Sequence, residues 1–348
     1  MQLGPRAAVV GVSAVSAFGF GWRGLGQTLL GRALAPRPCE ALSRSHPGTH
    51  ASEVPPVPPT DEVSDVKTRR LMSRAAHLAA VAMKKALADS GWDQGRDEIG
   101  CFLGLGASGG PMEELLAILK ASIVGAKVDP ARFCREGLAS AHPLLAFHLL
   151  SNYILCHGSI AAGVGGPNRA FYSRGTGTVT AIAEACWALA EGDCSRTLAG
   201  GADSALHLAT FEELHLEGYT ARGFVPGEGA ALLALAVQSD RALAWIEGCA
   251  VDRELGALLE KLGGAHCDVA ILVPWGPPAR ESLIRAVHPV HPGDLSLSLA
   301  DPLAAGPALA CAAATDLLTA GAAADVLVLC AGIDGAFGGI RLSRGRLP

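Results

Sequence analysis

Charge and aromatic rings are scarce in this 348-residue sequence: Asp, Glu, Lys and Arg make up 18% of it, and Phe, Trp and Tyr 5%. Half of the residues are hydrophobic, a balance that excludes an intrinsically disordered chain. A basic surplus is also lacking. Lys and Arg number 28 against 33 Asp and Glu, a net charge of −5, which excludes the electrostatic footprint of a nucleic-acid binder. A mean hydropathy of +0.32 raises the question of a membrane span. Every apolar run, however, is broken by Gly, Pro or a charge well short of about 18 residues. The ten cysteines form no Cys-x-x-Cys pair, so neither a zinc site nor a disulfide framework is indicated. Most lie in apolar runs, where a free Cys acts as a small hydrophobe. The first ten residues lack the apolar core and cleavage pattern of a signal peptide. These absences lead to the expectation of a reducing cytoplasm, with no metal, no cofactor, no nucleic acid and no membrane span.

What the sequence does contain is alternation. Ala7–Val15, Ile99–Leu105, Ala170–Ser173, Arg196–Ala199, Ala230–Val237, Ala244–Val251, Val269–Val273, Ala324–Cys330 and Ala336–Leu342 read as strands. Between them, Arg69–Ser90, Pro111–Ile123, His142–Leu155, Thr176–Ala190 and Ala304–Thr319 carry helical spacing. The first of these is expected to end near Gly91, and His142–Leu155, apolar almost all round, to be buried. Strand 99–105 runs into Ser108-Gly109-Gly110, and Gly163–Asn168 reads as a turn. Ala35–Asp61 is rich in Pro and Ser without periodicity and reads as a surface excursion. The pattern occurs twice, with a polar break at Gln238–Arg241, and implies a layered α/β fold in two halves, 1–240 and a shorter 241–348.

Several segments carry a closer likeness. Val9-Val10-Gly11-Val12-Ser13-Ala14-Val15-Ser16 with Gly19, the turn Gly166-Pro167-Asn168, and Leu198-Ala199-Gly200-Gly201-Ala202-Asp203 come in that order. Gly223-Phe224-Val225-Pro226-Gly227-Glu228-Gly229-Ala230 and Phe337-Gly338-Gly339 follow. Together they resemble the β-ketoacyl synthases of the thiolase superfamily, the Gly-Phe-Val-x-Gly-Glu-Gly-Ala stretch being the most specific. The resemblance implies a thiolase-like fold with α-β-α-β-α layers.

It also implies chemistry, and here the sequence departs. In that family a Cys opens the helix after the Gly-Pro-Asn turn, where the helix N-terminus lowers a thiol pKa and holds an oxyanion. The corresponding position is Gly175, which cannot carry a thioester. The first family histidine falls in Val273-Pro274-Trp275-Gly276-Pro277-Pro278, which has none, so Trp275 stands in its region. The second belongs to a Gly-His dipeptide and falls on Asp301, and the family lysine on Ser296. By resemblance the chain is expected to be a non-catalytic member like the chain-length factors of type II polyketide, aryl-polyene and fatty-acid systems. These pair with an active ketosynthase and shape its acyl tunnel. Such factors commonly carry Gln at the nucleophile position, unlike Gly175.

Other candidates are weighed against plainer roles. Lys67, Arg69, Arg70 and Arg74 form a basic cluster on which an acidic acyl carrier protein could dock, or a solvated helix start. By resemblance His142–Leu155 lies at the dimer interface and borders the acyl tunnel, which makes Leu144, Phe147 and Leu150 tunnel-floor candidates; ordinary packing is the alternative. Cys186 is expected to be buried core, and the neighbours Cys156 and His157 not to converge on one atom. Ser173 and Thr176 are expected to cap a helix beginning near Gly177, and Asp301-Pro302 to form an N-cap and first helical position. His288 and His291 read as lying in a solvent-exposed loop. The alternatives to the chain-length-factor reading are a divergent acyltransferase using Cys156, Cys186, Ser173 or Asp301, and a homodimeric scaffold that binds acyl groups or acyl carrier protein.

Overall fold

Strands of Ala, Val, Leu and Gly without a polar face must be covered on both sides, and the chain achieves this by stacking layers. A computed structural model describes residues 3–31, 36–63, 65–107, 109–287, 290 and 292–345. Ser108, His288 and His291, on which parts of the sequence reading fall, lie outside them, as does Ala35.

The first half opens with β1 (Ala7–Val15) and α1 (Leu25–Gly31). The small elements β2 (Arg37–Pro38), α2 (Glu40–Ser43) and β3 (His50–Ala51) follow. Next come α3 (Val66–Arg70), α4 (Arg74–Ser90), β4 (Gly100–Leu105) and α5 (Met112–Ser122), then the hairpin β5 (Ile123–Val124) and β6 (Lys127–Val128), and α6 (Pro130–Arg132). The half closes with α7 (Ala146–Leu149), α8 (Asn152–Ala162), β7 (Asn168–Tyr172), α9 (Thr176–Glu191), β8 (Arg196–Ser204), α10 (Leu208–Leu216) and β9 (Glu228–Ala236). The second half contains β10 (Ala244–Asp252), α11 (Leu255–Lys261), β11 (Val269–Val273), α12 (Gly276–Val287), β12 (Gly293–Asp294), α13 (Leu295–Leu299), α14 (Gly306–Thr319), β13 (Asp325–Ala331) and β14 (Phe337–Ser343).

The strands repeat one topology. The order β1-β9-β8-β4-β7 in the first half is matched by β10-β14-β13-β11-β12 in the second, with the same sequence of antiparallel and parallel pairings. A short antiparallel ladder from Ala7 to Val9 joins β1 to β10, so the hydrogen bonding runs through ten strands. Helices α9 and α14 lie between the halves and touch strands of both; α4 and α8 cover the first half, α11 and α12 the second. Five α-β-α-β-α layers result. The main core is the α9/α14 layer, made of small side chains such as Ala181, Ala185, Ala310 and Ala313.

Four expectations need correction. The helix expected over Arg69–Ser90 is two helices, because Asp65 caps α3 at the amides of Lys67 and Thr68, and Ser73 restarts the chain by accepting from the Ala76 amide. Its end at Gly91, with φ 70°, is as expected. Strand β8 passes through Gly200-Gly201 instead of stopping there. A Cβ at Gly200 would lie 2.0 Å from the Ala231 carbonyl, and one at Gly201 2.3 Å from that of Ala304, so these glycines permit close approach and make no turn. The segment 142–155 is broken at residues 150–151, and Leu144 and Leu150 are exposed by 41% and 51%. Leu145, Ile154 and Leu155 are buried as expected, so only part of its apolar surface faces outward. The excursion 35–61 is partly structured, with Cys39, Leu42 and Ala51 buried against Phe211, Leu214 and Phe224. Among the described residues no helix is long and apolar enough to cross a membrane.

Candidate functional site

Edge strand β7 delivers Ser173-Arg174-Gly175 to the start of α9. Gly175 has φ 96° and ψ −80°, a conformation closed to most L side chains. Space is not the restriction: a Cβ there would meet the Ala331 carbonyl oxygen at 3.4 Å and the Gly332 Cα at 3.5 Å. The helix starts at Thr176 without a side-chain cap. Ser173 and Thr176 pair their hydroxyls at 3.0 Å instead of capping, and the Gly177 amide donates to the Ser173 carbonyl.

Asp301 arrives from the other half and is not a helix N-cap either, since the 3₁₀ turn Leu303–Ala305 begins after Pro302. Its Oδ2 accepts from the Val225 amide at 3.2 Å, while its own amide donates to the Val225 carbonyl and its carbonyl accepts from Gly227. Burial pushes its carboxyl up to about 7; the Val225 bond opposes this and nearby Asp294 adds to it. Ser296 donates to Asp294 Oδ1 at 2.6 Å, and Arg280 Nε lies 2.6 Å from Asp294 Oδ2. Trp275 packs edge-on against Tyr219 at 5.6 Å and beside Phe224 at 5.8 Å, with its indole N–H buried and unpartnered.

These positions converge. Gly175, Trp275, Ser296 and Asp301 all line one cavity, closed further by Pro274, Ala300 and Leu303. Its volume is about 10 Å³, roughly the space one water needs. Among the described residues no thiol, imidazole or amine lines it. Outside this chamber, Phe224 and Val225 line a second, surface cavity of about 340 Å³ with Phe211, Pro226, Thr220 and His50.

Buried acids fix the chamber walls. Asp203, at the end of β8, accepts from the amides of Ala304 at 3.1 Å and Ser204 at 2.8 Å, and the Thr178 hydroxyl donates to the Ala304 carbonyl. Burial also raises Asp203 to about 7, against those two bonds and Arg174. Arg174 is itself buried and donates to Glu213 at 2.7 Å. Glu228 accepts from Arg74 Nη2 at 2.6 Å, the Val54 amide at 3.0 Å and the Ser204 hydroxyl at 2.9 Å. The sequence reading used Asp203 and Glu228 only as motif letters. The signal for their roles was an acid at the end or the start of an apolar strand.

The β-ketoacyl synthase N-terminal domain model matches residues 6–241. The chain belongs to the β-ketoacyl synthase family. No curated protein matches its sequence. Solved structures share the fold at low identity. A chain of the ishigamide ketosynthase/chain length factor is 16% identical with TM-score 0.79, covering 99% of this chain and 100% of that one. A β-ketoacyl synthase from Burkholderia phymatum STM815 is 17% identical with TM-score 0.76, covering 98% and 100%. A chain of the AntDE:AntF complex, a type II polyketide acyl-carrier protein with its ketosynthase bound to the hexaketide, is 15% identical with TM-score 0.74, covering 98% and 99%.

The remaining candidates of this ketosynthase-family chain are scattered. Cys186 is buried between the layers in contact with Cys249, whose thiol is pushed well above its ordinary value by that contact and by burial. His157 lies against the rings of Phe147 and Tyr153, where burial lowers its pKa, and Cys156 packs at the edge of the α4/α8 core. Arg74 is committed to Glu228 and Arg69 to Glu62 at 3.0 Å, while Lys67 and Arg70 are exposed. That leaves half of the expected basic cluster facing solvent. Among the described residues no group of three or more His, Cys, Asp or Glu side chains is placed to hold a metal ion.

Proposed function

We propose that this chain is a ketosynthase-fold subunit without condensing chemistry of its own, which pairs with an active ketosynthase in the manner of a chain-length factor. The observation that carries the reading is the chamber. Four positions that correspond to the family's reactive groups meet there as Gly, Trp, Asp and Ser, around a space too small for an acyl chain. Condensation needs a nucleophile within hydrogen-bond reach of a base; among the described residues of this lining the Ser296 hydroxyl is spent on Asp294 and the Asp301 carboxyl on the Val225 amide, so no such pair forms.

The pairing half of the proposal rests on exposed apolar residues of the first half and on edge strand β7. This strand ends the sheet with its outer side unpaired, and Leu116, Leu119, Ile123, Val124, Leu144 and Leu150 are exposed on α5, the β5–β6 hairpin and the 144–150 segment. Exposed apolar area of this kind marks an interaction site. In this reading Leu144, Phe147 and Leu150 border an acyl tunnel only once a partner covers them, and Lys67 and Arg70 are left to meet an acidic carrier protein. The pathway is type II polyketide, aryl-polyene or fatty-acid synthesis, and residues 1–240 and 241–348 are the two family halves.

The chemistry is tested on the isolated chain with labelled acyl- and malonyl-carrier protein. The expected result is no acyl group retained on the chain after denaturation and no elongated product. Covalent label on the chain would overturn the proposal and direct attention to the acyltransferase alternative.

A further inference from the structure

The wall between the closed chamber and the surface cavity is thin, and one side chain holds it. Val225 lines the outer space, Asp301 lines the inner one, and the two are joined by the Asp301 carboxyl and by backbone bonds in both directions. Phe224 on the outer side and Trp275 on the inner side complete the partition.

Two features make this partition unlike an ordinary packed wall. The carboxyl of Asp301 has one donor, the Val225 amide, and is otherwise enclosed. Asp301 also sits between Ala300, with φ 56° and ψ −148°, and Leu303, with φ 51°. Ala300 occupies a region that is nearly restricted to glycine. The segment therefore holds backbone strain that its release would relieve.

The charged and titratable groups around Asp301 come from several elements. Asp294 and its partner Arg280 face it from α12 and the start of α13. Asp203 holds the following turn from β8. Glu228 with Arg74 lies beyond the Val225 loop, and His50 lies across the outer cavity. None of these places a cation on the Asp301 carboxyl, and Asp294 is of like charge.

We propose that Asp301 is a protonation-dependent latch on this wall: it stays closed while the carboxyl is neutral and loosens when the carboxyl ionises, joining the inner chamber to the outer cavity. The Val225 N–H bond favours the carboxylate, but one donor does not offset the desolvation of a buried charge, so the neutral carboxyl is the form the closed wall holds. The carboxylate is short of donors beside Asp294, and water entering through the strained 300–303 segment supplies them. Burial that raises the carboxyl to about 7 brings the change near neutral pH. This device is independent of whether the chain pairs with a ketosynthase.

Amide hydrogen exchange on the whole chain, corrected for the intrinsic pH dependence, tests the latch between about pH 5.5 and about pH 8.5. Protection in peptides covering 224–227 and 299–304 is expected to fall about tenfold at the higher pH in the wild type and to stay level in Asp301→Asn, whose amide oxygen still accepts from Val225. Ala300→Gly removes strain from the closed wall without touching the carboxyl, and is expected to raise protection in both peptides about threefold at either pH while leaving the fall with pH in place. Protection that does not change with pH in the wild type, an equal fall in Asp301→Asn, or protection unchanged in Ala300→Gly would overturn the proposal.

Discussion

Ala300 and Leu303 carry positive φ without being glycine, and among the described residues they are alone in this. Ala300, with φ 56° and ψ −148°, holds a conformation ordinarily reserved for glycine. Residues held in such regions cost roughly 1–3 kcal/mol, against less than about 1 kcal/mol for the extra freedom a glycine gives the unfolded chain. Ala300→Gly is therefore expected to stabilise the chain by about 1 kcal/mol, read as a rise in the urea midpoint. Gly175 is the reverse case. Its φ of 96° makes Gly175→Ala destabilising by about 1–2 kcal/mol, although a Cβ there has room. The buried acids add a pH dependence. Asp203 and Asp301 ionise near 7 when folded and near 4 when unfolded. Between those values the folded chain holds protons that the unfolded chain has released, so stability falls as pH rises from about 4 to about 7 and then levels off. In Asp301→Asn the difference between the urea midpoints at about pH 5 and about pH 8 should shrink; an unchanged difference would contradict the assignment to Asp301.

Elements were legible where periodicity and apolar runs decide, as in β1, β11, α9 and α14. They were less legible where a tertiary contact decides. Ser73 reads as one more residue of a long helix without its cap, and Gly200-Gly201 reads as the end of a strand because the chain pressed against them is distant in sequence. The acids show the same limit. Asp203 reaches Ala304 across 101 residues and Glu228 reaches Val54 across 174, separations no local pattern encodes. The candidate site was read from the sequence as four separate positions, Gly175, Trp275, Ser296 and Asp301. That they meet in a space closed by Trp275 was not, because cavity volume depends on packing from both halves. The Arg74–Glu228 pair ties α4 to β9 with the carboxylate 1% exposed. Arg74→Ala strands a buried charge and is expected to cost about 3 kcal/mol. Lys67→Ala and Arg70→Ala, at exposed positions, should each stay within about 0.5 kcal/mol. Thermal melts of the three variants would separate the structural arginine from the docking candidates.

Across the whole molecule, two similar halves enclose an α9/α14 layer of small residues, and the first half has β7 at the end of the sheet and exposed leucines and valines on α5, the β5–β6 hairpin and the 144–150 segment. Interfaces of lasting complexes bury more than about 2,000 Å² and resemble a core cut in half, which fits a face that the chain does not cover itself. Val124→Asp and Leu150→Glu are expected to weaken pairing by at least about tenfold while leaving the thermal midpoint of the isolated chain nearly unchanged. The central claim is that this chain contributes a wall and not a nucleophile. Its most direct test is to co-express the chain with active ketosynthases from its own gene neighbourhood, purify through a tag on this chain alone, and weigh the product by native mass spectrometry before and after adding malonyl- and acyl-carrier protein. The account predicts a one-to-one heterodimer that elongates, with acyl label on the partner only. A homodimer that labels itself would contradict it.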